Sequence, residues 1–146
     1  MKSWLDIYKP GNYAVERLYR NEILQSNQQS RQYGLELTPL QAMELLQTRR
    51  RALKSQGRLE LGIEVIKKMI AAFCSSPYIH PHEYAGTLGE LVEIFYYMKN
   101  ETRERLGDDE LITVMRELFD SQSRGSLELL RDRDLDRYAR ELRDRQ

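Results

Sequence analysis

The sequence predicts an all-α protein, a single domain over residues 1–146 that folds as a bundle of five to six helices. Apolar residues recur at spacings of three and four along most of the chain, which is the period of an amphipathic helix. No stretch shows the sustained apolar–polar alternation that is typical of a half-buried strand. Only four prolines and eight glycines interrupt the 146 residues, so long regular elements are expected.

The first helix is predicted to follow an N-terminal arm over residues 1–11. Pro10-Gly11 ends the aromatic-rich opening, and Asn12 is suited to cap the helix that comes next. Gly34 is suited to end this part of the chain, because glycine is common just after a helix C-terminus. The expected core positions of the first helix are Val15, Leu18, Tyr19 and Ile23.

Thr38, Pro39 and Gln41 mark the start of the second helix. Threonine caps, proline suits the first helical position, and the glutamine reaches back to the capping amide. The third helix is predicted from apolar residues at intervals of four, three, four and three, a seam that faces a partner helix. The seam consists of Leu59, Ile63, Ile66, Ile70 and Phe73.

A helix at about residues 82–99 is predicted to lie at the centre of the bundle, because it is apolar on nearly all its faces. Gly107 then breaks the chain before a fifth helix with a negatively charged first turn. Ser126 is suited to cap a short turn after it. Residues 131–146 form a charged C-terminal helix with a thin apolar stripe, which we expect at the periphery of the domain.

The net charge is zero, but it is unevenly distributed. Residues 1–70 hold 12 Lys/Arg against 7 Asp/Glu, a balance of +5, and residues 71–146 hold 11 against 16, a balance of −5. Such polarity supports either head-to-tail association between copies or a basic surface for an anionic partner. The opening lacks the apolar run of a signal peptide, no apolar window would span a bilayer, and one cysteine forms no internal disulfide. The sequence therefore predicts a cytoplasmic protein without membrane contact.

The two histidines are candidate metal ligands. His80 and His82 flank Pro81, and Glu83 or the thiolate of Cys74 would add a third ligand, although the spacing matches no specific zinc signature. The alternative is architectural. Pro81 suits the first position of a helix, so that His80 would lie near the cap and Glu83 would be a favourable anion in the first turn. No cofactor is predicted.

A basic segment is a candidate contact with nucleic-acid phosphates. Five cationic side chains fall within ten residues: Arg49, Arg50, Arg51, Lys54 and Arg58. The alternative is a solvated face with intrahelical ion pairs. The nearby Glu60 and Glu64 favour this alternative, because they would repel a phosphate backbone.

Tyrosine is unusually common, with nine residues against three Phe and one Trp, and it suits half-buried positions and interfaces. The candidate protein interface comprises Tyr96, Tyr97, Leu135, Tyr138 and Leu142. The chain has no phosphate-binding loop, dinucleotide fingerprint or nucleophile elbow, so the prediction leans away from an enzyme. We predict a helical protein that acts through contacts with a protein partner or with itself, with nucleic-acid binding and metal binding as the alternatives.

Three runs of sequence carry a resemblance to a known family: LVEIFYYMKNE (91–101), DDELITVMRELFD (108–120) and GSLELL (125–130). They resemble a family of small, all-helical bacterial proteins classed as a domain of unknown function. The similarity covers the chain from about Leu37 onward and is densest over residues 84–130. The resemblance implies a bacterial, cytoplasmic, all-α protein, and it implies no activity and no site residues.

Overall fold

The computed structural model describes residues 13–145. Within them the predicted helical periodicity corresponds to six α-helices of ten residues or more. The all-α prediction is confirmed, and these residues contain no β-strand. The helices are α1 (Tyr13–Gln25), α2 (Pro39–Ser55), α3 (Glu64–Phe73), α4 (Tyr84–Glu101), α5 (Asp108–Asp120) and α6 (Leu135–Asp144). The N-terminal arm and the capping role predicted for Asn12 lie outside the described residues.

Shorter elements connect these helices. After α1 the chain continues through a helical turn (Asn27–Ser30) and a 3-10 turn (Arg31–Tyr33), and a second 3-10 turn (Pro81–Glu83) precedes α4. Between α5 and α6 lie one helical turn (Leu127–Leu129) and a π-helical turn (Leu130–Asp134). The π-helical turn leads directly into α6, so the α-helix begins at Leu135, four residues after the start predicted for the C-terminal helix.

Local signals set several of the helix ends. Thr38 Oγ1 accepts the Gln41 N–H at 3.1 Å, and the Gln41 side chain accepts the Thr38 N–H at 2.9 Å, which completes the predicted capping box. Ser126 Oγ accepts the Leu129 N–H at 3.2 Å. Gly34 takes a left-handed φ of +76° where the first helical region ends. The predicted boundaries at these positions are confirmed.

Helix α4 is the centre of the bundle, as predicted. It contacts α2, α3, α5 and α6, and most of its apolar side chains are fully buried. Phe95 packs edge-to-face on Tyr96 with ring centroids 5.1 Å apart. In the described part of the chain no helix combines the length and the hydropathy that crossing a bilayer requires.

The third helix begins later than predicted, at Glu64, and the assignment of Leu59 to its core seam is wrong. Leu59 is 94% exposed and lies in a connecting segment between Gly57 and Gly62. These two glycines have φ values of +65° and +79°, a left-handed conformation that interrupts a helix. The other four residues of the seam are buried.

Helix α1 packs through a narrower face than predicted. Val15 and Ile23 are buried and Tyr19 is half-buried, but Leu18 is 58% exposed. The expectation that Leu18 lies in the core is therefore wrong. Among residues 13–145, α1 packs chiefly on α2, which covers one side of it.

Candidate functional site

A groove of about 430 Å³ lies between the C-terminal half of α4 and the chain that runs from the π-helical turn into α6. Its size falls in the range of pockets that bind ligands or side chains. We call it the α4–α6 groove. Three of its lining residues come from α4 and the others from the π-helical turn and α6: Tyr97, Met98, Glu101, Arg131, Asp132, Asp136, Ala139 and Arg143.

The groove combines an apolar floor with an aromatic wall. Met98 and Ala139 are buried, whereas Tyr97 exposes 46% of its surface. A tyrosine at the edge of an apolar floor gains contact area when a partner covers its ring, and its hydroxyl can stay hydrated. This arrangement suits binding better than it suits a purely structural position.

Carboxylates outnumber guanidinium groups in the groove by three to two. Arg131 donates two hydrogen bonds to Asp132, at 2.8 and 3.2 Å. Arg140 pairs with Asp136 at 2.8 Å, so that two of the three carboxylates are compensated. The charge of Glu101 raises the pKa of the Tyr97 hydroxyl above its ordinary value, with partial desolvation and the charges of Asp136 and Asp132 adding to the effect. Glu101 is therefore the negative charge that acts most strongly on Tyr97, beside two carboxylates that are already ion-paired.

The π-helical turn that forms one wall of the groove is anchored by Asp134. The side chain of this residue is fully buried, and it accepts hydrogen bonds from Ser123 Oγ at 2.6 Å and from Arg133 Nε at 2.8 Å. The Arg133 hydrogen bond, followed by that of Ser123, holds the pKa of the Asp134 carboxyl below its usual range. π-Helical turns are rare and often occur at functional sites. Here the anchored turn fixes the position of the groove wall.

The substitution Asp134→Asn is expected to lower the free energy of unfolding by about 2 kcal/mol at neutral pH, because the buried charge-assisted hydrogen bonds are weakened. A lowered folded-state pKa means that the carboxylate stabilises the protein above its unfolded pKa of about 4, and that this stabilisation is lost as the pH falls through the folded value. Urea unfolding should therefore show the difference between the wild type and the variant shrinking in acid.

The neighbouring pair offers a matched control for Asp134→Asn. Arg131–Asp132 and Arg133–Asp134 are both formed by adjacent residues at 2.8 Å, but the Asp132 side chain is 56% exposed. Asp132→Asn should cost less than about 0.5 kcal/mol, since exposed ion pairs contribute little. Equal losses for the two variants would contradict the anchoring role of Asp134.

Two of the five predicted interface residues belong to the core. Tyr96 and Leu135 have no exposed surface, and burial raises the pKa of the Tyr96 hydroxyl far above its ordinary value. Neither side chain reaches the surface of the folded chain. The contact prediction therefore applies to Tyr97 in the groove and to Tyr138 and Leu142, which are half-buried on α6.

The basic segment does not form a continuous cationic stripe. Arg49 is buried, and its guanidinium group donates to two backbone carbonyls. Arg50 and Arg58 form ion pairs with glutamates of α1 and of the chain after α4. Arg51 and Lys54 are the two exposed cations of the five that have no ion pair with any described residue. Nucleic-acid contact through this segment stays a prediction. Of its five cations, Arg51 and Lys54 could reach a phosphate without breaking an ion pair to a described residue.

The histidine segment connects α3 to α4. His80 has extended backbone just before the 3-10 turn, and His82 and Glu83 lie within that turn; all three are exposed, whereas Cys74 is buried. Within residues 13–145 no three His, Cys, Asp or Glu side chains lie close enough together to hold a metal ion. The structure places Pro81 at the first position of the turn, as the architectural alternative expects.

Sequence reasoning identified Tyr97 and missed the charged residues of the groove. They lie in segments where charged residues are so frequent that charge alone singles out no position. One signal was available, because spacings of four, three and four follow a single helical face. The residues with these spacings are Asp132, Asp136, Ala139 and Arg143.

Comparison with known families assigns the chain to one of them. A model described as "Family of unknown function (DUF6323)" matches residues 22–146, so the chain belongs to this family. The resemblance to an uncharacterised helical family is thereby confirmed, and the match begins upstream of Leu37. No curated protein and no solved structure matches the chain.

Proposed function

We propose that this member of the family acts through protein–protein contacts rather than catalysis, and that the protein it contacts is a second copy of the same chain. The observation that carries the proposal is Tyr97, half-exposed in a groove with an apolar floor. Aromatic residues in such settings dominate the energetics of protein contacts. We place this activity in the cytoplasm, because a single cysteine suits a reducing compartment.

The anatomy of the groove supports a protein partner. Its two buried lining residues, Met98 and Ala139, are apolar, and five of the six other lining residues are charged. Protein interfaces share this arrangement of an apolar core and a polar rim. The opposite charge balances of residues 1–70 and 71–146 support contact between copies, since complementary surfaces steer association.

The substitution Tyr97→Arg is expected to weaken self-association roughly tenfold or more. It removes the aromatic ring that a partner would cover and puts a hydrated charge beside the apolar floor. Sedimentation velocity over a concentration series of the full-length chain measures the effect. Association of the wild type should also weaken as salt is added, because the contact includes opposite charges.

Tyr33 provides the control for Tyr97. It is 47% exposed, nearly the same as Tyr97, and it does not line the groove. Tyr33→Arg should leave the association constant unchanged. A wild type that stays monomeric at all concentrations and salt levels would refute the proposal, and equal effects of the two variants would show that the groove is not the contact.

A further inference from the structure

We draw no further inference here: the strongest candidate, the exposed apolar patch that Leu59 and Leu61 form in the segment between α2 and α3, carries none because nothing in the described part of the chain shows what covers it.

Discussion

The substitution Gly125→Ala is expected to lower the free energy of unfolding by about 3 kcal/mol, through left-handed backbone strain and steric overlap. Gly125 has a φ of +80°, and a Cβ atom built on it would lie 2.6 Å from the Cβ atom of Tyr78. The overlap is with the Cβ, Cγ and Cδ1 atoms of Tyr78 and not with the far end of a flexible side chain, and relieving it would shift a ring that packs edge-to-face on Phe119 with centroids 6.3 Å apart. Urea unfolding monitored by circular dichroism measures the loss.

Gly34 isolates the backbone part of this effect. Its φ is +76°, close to that of Gly125, but a Cβ atom there would have no other atom within 4 Å. Gly34→Ala should therefore cost only about 1 to 2 kcal/mol. If both substitutions cost the same, steric contact with Tyr78 plays no part. If neither costs anything, the left-handed conformation itself would be contradicted.

The ends of helices could be predicted from the sequence where all the partners of an end lie within a few residues. The capping box joins Thr38 to Gln41, and the Ser126 cap reaches only to Leu129. The exposed position of Leu59, in contrast, is set by contacts between residues far apart in the sequence. Its spacing to Ile63 fits a helix, but hydrogen bonds from Arg49 and Tyr96 hold the adjacent Glu60 in a loop. Such long-range contacts leave no local pattern.

The groove could be predicted only in part, because its geometry depends on a π-helical turn. A π-helical turn inserts one residue into the helical repeat and rotates the downstream residues by about 100° relative to a regular helix. The spacing of Asp132, Asp136, Ala139 and Arg143 therefore gives them a common face without showing that this face meets Tyr97. The turn is stabilised by Asp134 and Ser123, residues 11 positions apart that have no sequence signature as a pair.

The substitution Arg49→Met is expected to lower the free energy of unfolding by about 3 kcal/mol, which is typical of removing one partner from a buried charged network. Methionine keeps an unbranched apolar stem but lacks the guanidinium group and donates no hydrogen bond. The carbonyl oxygens of Glu60 and Gly62 lose their donor, and the ring of Tyr19 loses the guanidinium group that lies 5.7 Å from its centroid. Urea unfolding at a fixed, low protein concentration measures the change.

Arg50 is the matched control, since it lies on the same helix and pairs with Glu16 at 2.6 Å but is one-third exposed. Arg50→Met should cost no more than about 1 kcal/mol, and equal losses would contradict a special role for Arg49. Residues 58–62, between α2 and α3, give a second measurement. Amide exchange at Gly62 should accelerate in Arg49→Met, because this N–H is protected only while the segment is held against Tyr19.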